Sequence, residues 1–129
     1  MPDAMHLAAI DTLLACLLTF AFGGRVGLMR GRHRIEAPTC VGHPDFERAF
    51  RIHANTVENL VLMIPVLWIA SVYYGGQLPF WIGLAWVVSR IVYAVGYAQQ
   101  NPKMRAPGAG IGFLCILALM ILGALGVAG

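Results

Sequence analysis

The residues best suited to chemistry stand in the segment ERAFRIHANTVEN, where Arg48, Arg51, Asn55 and Glu58 follow one another at intervals of three, four and three. At 3.6 residues per turn those intervals put all four on one stripe of a helix. His53 lies off that stripe. A second run holds Arg90, Tyr93 and Tyr97 at intervals of three and four, and Trp86 continues it inward as an apolar wall. Arginine suits anion recognition because its planar guanidinium stays charged and grips a carboxylate through two hydrogen bonds. The ligand such groups select is a small carboxylate-bearing anion, and Glu58 can hold an amino group on the same molecule; a dipeptide or tripeptide combines those charges. Arg105, in the stretch KMRAP, is a further cation, and a cation beside a thiol raises its thiolate fraction. The plainer alternative is a solvated first helical turn with an internal Arg–Glu ion pair, interfacial tyrosine rings, and Lys103 and Arg105 reaching toward lipid headgroups. Depth argues against it. Asn55 and Glu58 run straight into LVLMIPVLWIA, where an ionisable group at a helix centre costs ~2.5–3.5 kcal/mol unless it is paired or lines a wet cavity.

The elements that must position these residues are membrane spans. The chain of 129 residues is 59% hydrophobic and only 12% charged, against ~25% charged for a soluble domain. About 20 apolar residues at 1.5 Å each cross a bilayer, and four stretches qualify. The sequence predicts an all-α, membrane-embedded four-helix bundle in one domain, with helices at about 5–29, 46–74, 79–100 and 109–127. Asp11 is the only acid in the first span, whose end runs into the basic Arg30–Gly31–Arg32–His33–Arg34. Asp45, after the GHP turn, is expected to cap the second helix, and Pro65 is tolerated within it by neighbouring helices. The stretch NPKMRAPG is expected to be a loop carrying Arg105. The last helix, apolar throughout, reads as lipid-facing support whose glycines permit close packing.

A formal charge of +3 could suggest nucleic acid, but its placement points to no nucleic-acid partner. All nine Lys and Arg fall in or beside the first and third connections. By the positive-inside rule both connections face the cytoplasm and both termini the opposite side. Tyr73, Tyr74 and Trp81 around the second connection fit an aromatic belt there. The absence of a basic region ahead of the first span argues against a cleaved signal peptide, and the short loops fit a bacterial inner membrane, with a eukaryotic internal membrane as the alternative. Cys16, Cys40 and Cys115 have no metal-like spacing, nor do His6, His33, His43 and His53, so no metal is expected.

FERAFRIHANTVENL, SRIVYAVGY and KMRAP together resemble the family of membrane-associated proteins in eicosanoid and glutathione metabolism (MAPEG), which includes microsomal glutathione transferases. The resemblance implies a homotrimer of four-helix bundles that binds glutathione, as a co-substrate, between subunits near the cytoplasmic face. It implies that Arg51, Asn55 and Glu58 hold the glutathione backbone and its charged ends, that Arg30 reaches the tripeptide from a neighbouring subunit, and that Arg90, Tyr93 and Tyr97 complete the binding set. It implies, too, that Arg105 is the thiolate-stabilising, catalytic arginine. The chain departs from the family there, since some members carry that arginine after the Ala-Pro, where this chain has Ala109 and Gly110.

The reading that follows is a membrane-bound glutathione transferase, with peroxidase activity open, acting on a hydrophobic small-molecule or lipid substrate that arrives through the bilayer. Its rival is a non-catalytic lipid-binding or scaffold protein of the same fold, which has no need of an anion site. A transporter or channel fits less well, because the ionisable residues gather at one end rather than along a path.

Overall fold

The computed structural model describes residues 3–129. Four helices account for nearly all of them: α1 (Ala4–His33), α2 (Pro44–Ile69), α3 (Leu78–Ala98) and α4 (Pro102–Ala128). All four are long and apolar enough to cross a membrane, α2 together with the π-helical turn Ala70–Tyr74 that prolongs it. The short connections at 75–77 and 99–101 force antiparallel neighbours. The first and third connections therefore share one end of the bundle, the basic end, and the second connection shares the other with the termini. α3 and α4 form the most extensive pairing, and α1 packs chiefly on α2.

Two expected helix limits and one expected cap differ in the structure, each for a local reason. α1 runs through the basic segment to His33, since cations in a last turn offset the carbonyl end of the helix dipole. It stops at Arg34, which takes a left-handed conformation with φ 55°. The cap of α2 is His43, not Asp45: its Nδ1 accepts from the Asp45 amide at 3.1 Å, while the Asp45 carboxylate is taken by Arg48.

The larger difference is α4, which begins at Pro102 rather than near residue 109. Asn101 is the N-cap, its side chain accepting from the Lys103 amide at 3.1 Å, and Pro102 stands at the first helical position, where a missing N–H costs nothing. Pro107 and Gly108, which look like breakers in the sequence, lie inside the helix. Arg105 consequently sits on the opening turns of a helix and not on a loop.

Small residues draw α3 and α4 together at this end. A β-carbon on Gly96 would lie 2.5 Å from the Arg105 backbone nitrogen and 2.7 Å from the Met104 β-carbon. Helix association in lipid rests on such close backbone approach, because burying apolar surface from lipid gains little.

The main core is built by Ala8, Ala15, Met63, Leu67, Trp86 and Leu119 together with their neighbours from all four helices. The Trp68 indole N–H donates to Thr12 Oγ1 at 3.0 Å and ties α2 to α1. A smaller cluster of Val26, Ile35, Phe46 and Ala49 seals α1 against α2 at the basic end. Ile52, Tyr93 and Ala94 join α2 to α3 beneath the polar residues.

Gly96→Ala is expected to force the first turn of α4 off α3, costing about 1–3 kcal/mol as an overpacked contact, whereas Gly110→Ala, with nothing within 4 Å of its β-carbon, should be neutral. Thermal unfolding of both variants in the same detergent decides it. Equal melting temperatures would remove the close-approach argument.

Candidate functional site

The centre of the polar constellation is Arg90, which α3 carries into the protein with only 1% of its surface exposed. Its Nη2 donates to Asn55 Oδ1 at 2.8 Å and to Thr56 Oγ1 at 3.1 Å, so two neighbouring residues of α2 share one guanidinium nitrogen. Thr56 passes its own hydroxyl proton to the Ile52 carbonyl at 2.8 Å, leaving its oxygen free to accept from Arg90. A charged group at this depth must be paired or hydrogen-bonded, and these bonds meet that need in part. The Tyr93 ring completes the enclosure, with the Arg90 guanidinium carbon 4.1 Å from its centroid.

From Arg90 outward the aromatic and cationic groups form a column. Tyr93 and Tyr97, one turn apart on α3, have ring centroids separated by 5.6 Å. The Arg105 guanidinium carbon, coming from α4, stands 5.4 Å from the Tyr97 centroid. Arg105 is exposed, Tyr97 partly so and Tyr93 buried. Access to solvent therefore increases from Arg90 toward Arg105.

Arg51 and Glu58, seven residues apart on α2, face each other with Arg51 Nη1 3.8 Å from Glu58 Oε1, and both side chains are more than half exposed. This is the internal ion pair that the plainer sequence reading anticipated, but its exposure leaves both groups available to a ligand. Exposed pairs of this kind contribute only ~0–1 kcal/mol, so a ligand that offers a carboxylate to Arg51 and an ammonium to Glu58 exchanges little stability for two charge-assisted contacts. Beyond Glu58 an apolar groove of about 300 Å³ runs between α2 and α4, lined by Asn59, Leu62, Phe113, Ile116, Leu117 and Met120.

Asn55, Arg90, Tyr93, Tyr97 and Arg105 thus come together through direct contacts, with Arg51 and Glu58 beside them. Arg48, expected on the same stripe, turns back to Asp45. Arg30 stands apart: its Nη1 donates to the Thr39 carbonyl at 2.7 Å and its guanidinium lies 4.8 Å over the Phe46 ring. Among the described residues no hydrogen bond or ion pair joins Arg30 to the rest. Arg90 is the deepest of the set, buried and bonded to α2 through Asn55 and Thr56.

Two residues escaped the sequence reading. Thr56 lacks the periodicity of the arginine stripe, and only its place beside Asn55 hints that one guanidinium could take both. Asp11, noted as the lone acid of the first span, is fully buried, and neither carboxylate oxygen has a hydrogen-bond partner among the described residues. Gly83 of α3 makes room for it, since a β-carbon there would lie 2.2 Å from Asp11 Oδ2.

Comparison with known proteins places this arrangement. The MAPEG family model matches residues 8–125. Microsomal glutathione S-transferase 2 of Bos taurus is 36% identical over 125 residues, covering 97% of this chain and 84% of that protein. Leukotriene C4 synthase of Cavia porcellus is 35% identical over 127 residues, covering 97% and 85%. An uncharacterized protein of Synechocystis is 34% identical over 117 residues, covering 91% and 84%. The chain belongs to the MAPEG family, and its four apolar helices make it an integral, multi-pass membrane protein.

If Arg90 depends on Asn55 as described, Asn55→Ala should cost about 1.5–3 kcal/mol, the range for a hydrogen bond to a charged group. Arg51→Ala, which removes only an exposed pair, should stay within about 1 kcal/mol. Reversible unfolding of the two variants in detergent tests the ranking, and a reversed order would show that Arg90 is satisfied in some other way.

Proposed function

We propose that this chain is a glutathione transferase that joins the glutathione sulfur to hydrophobic electrophiles taken from the bilayer. The observation that carries the reading is the Arg105 guanidinium poised over Tyr97 on the first turns of α4, at the exposed end of a column beside which Arg51 and Glu58 stand exposed. The names of the Bos taurus and Cavia porcellus relatives, a glutathione S-transferase and a leukotriene C4 synthase, support the reaction class.

In this reading Arg51 takes a glutathione carboxylate and Glu58 its ammonium, replacing their mutual contact. Tyr93 and Tyr97 hydrogen-bond the peptide, and Asn55 presents its free amide to it while its oxygen holds Arg90. Arg90 is a positioning residue, since it fixes Asn55 and Tyr93 from behind. The glutathione sulfur then lies near Arg105 and near the amino end of α4, where both the guanidinium and the unpaired helix amides favour negative charge. The thiol gives its proton to water, and the thiolate attacks the electrophilic carbon. A carbon–sulfur bond forms, and the leaving group departs with its electron pair. The groove from Glu58 to Met120 is the place for the hydrophobic partner, because it starts at the polar site and continues along lipid-facing helix surfaces.

Arg30, remote from the other residues within one chain, is accounted for by a homotrimer in which it reaches across to a neighbour's site. The basic end faces the cytoplasm, from which glutathione enters. The tripeptide itself is a co-substrate, and the chemistry calls for no metal.

Purified protein in detergent should conjugate glutathione to a chlorodinitrobenzene electrophile. Arg105→Ala is expected to lower kcat by ~10²-fold, the order seen when one stabiliser of developing negative charge is removed. No glutathione-dependent rate, with Arg105→Ala indistinguishable from wild type, would remove the proposal.

Binding separates the roles further. Glu58→Gln should weaken glutathione several-fold by titration, because it deletes the partner of the ammonium, while Arg48→Ala, paired away from the site, should leave affinity unchanged. Equal affinity for Glu58→Gln and wild type at physiological salt would return Glu58 to a purely structural ion pair.

A further inference from the structure

Three metal-ligating side chains that the sequence scatters across the first connection are gathered by the fold into one place. His33 is the last residue of α1, His43 caps α2 and Asp45 lies in the first turn of α2. Their donor atoms all lie within 4.8 Å of one another. The two imidazoles stack with centroids 3.7 Å apart and planes 14° from parallel. His43 Nδ1 is 4.0 Å from Asp45 Oδ2, while Arg48 engages the other carboxylate oxygen, Oδ1. His33 Nε2 is withdrawn from solvent and has no hydrogen-bond partner among the described residues. A nitrogen in that state forfeits its bond to water and gains nothing in return.

We propose that His33, His43 and Asp45 form a site for a divalent transition-metal ion of the zinc class. Zinc binds imidazole nitrogen and carboxylate oxygen at about 2.0–2.2 Å, which places neighbouring tetrahedral donors about 3.3–3.6 Å apart. The 4.0 Å between His43 Nδ1 and Asp45 Oδ2 is within a small side-chain rotation of that spacing. The imidazoles tilt out of their stack so that their lone pairs converge, and His43 exchanges the Asp45 amide for the ion. Water fills the fourth position.

Two nitrogen donors with one oxygen select zinc, cobalt or nickel over magnesium or calcium, which prefer all-oxygen sites. Arg48, bonded to the same carboxylate, points the same way, because it opposes an ion held by charge alone and leaves directional nitrogen coordination as the source of affinity. A bound ion would pin the end of α1 to the start of α2 across residues 34–43, one turn from Arg30. The histidine spacing concealed the site, because its ligands come from two helix ends rather than from one periodic segment.

Tag-free protein in detergent, titrated with cobalt and followed by ligand-field absorption, tests the site, with zinc competition giving the affinity. Wild type should take up one ion per chain with a nitrogen-ligated spectrum, and zinc should raise its Tm. Affinity should fall at least tenfold in His33→Gln and in Asp45→Asn. Cys40→Ser should bind as wild type does, since that thiol points to the Pro38 carbonyl at 3.3 Å. Absence of a ligand-field band in wild type overturns the proposal without recourse to any variant. So does equal affinity in wild type and His33→Gln, or loss of binding in Cys40→Ser.

Discussion

A guanidinium cannot be left bare inside a bundle surrounded by lipid, and the arrangement of the basic half of this protein follows from how Arg90 is satisfied. Its hydrogen bonds to Asn55 and Thr56 fix the rotation of α2 against α3. Once those two residues face inward, helical geometry turns Arg51 and Glu58 toward the edge of the same contact, where they remain exposed. A buried ionic group of this sort adds little net stability, because desolvation consumes most of what its contacts return. What it contributes is discrimination between registers: any other rotation of α2 would leave the charge without acceptors.

The second half of the constellation is set by backbone proximity and not by charge. Gly96 lets the first turn of α4 lie directly on α3, so Arg105 approaches Tyr97 from a rigid support. Two unlike devices thus converge on one column of side chains. One is a hydrogen-bonded charge that orients α2, and the other is a missing side chain that admits α4. Precision of this kind is what the proposed contact with a small, charged ligand in a fixed pose would require.

Hydropathy made the four spans legible in the sequence, because lipid demands long apolar segments and little else satisfies that demand. The chemical stripes were legible as well, since 3.6-residue periodicity carries Arg51, Asn55 and Glu58, and Arg90, Tyr93 and Tyr97, to common faces. What periodicity cannot report is the partner of each face. It therefore gave no warning that Arg90 would be consumed by Asn55 and Thr56, or that Arg48 would turn back to Asp45. The opening of α4 was misread for a related reason. Pro107 and Gly108 look like a loop until Asn101 and Pro102 are weighed as a start signal and α3 is seen to need a side-chain-free neighbour.

Asp11 and Gly83 carry a consequence for biogenesis. The acid lies in α1, while the notch that receives it belongs to α3, two helices further along the chain. Until α3 has entered the bilayer, the close seat against Gly83 does not exist, and the Asp11 carboxyl must face lipid, another helix or the headgroups. The tight fit between these two residues can therefore form only after a segment made some seventy residues later has arrived.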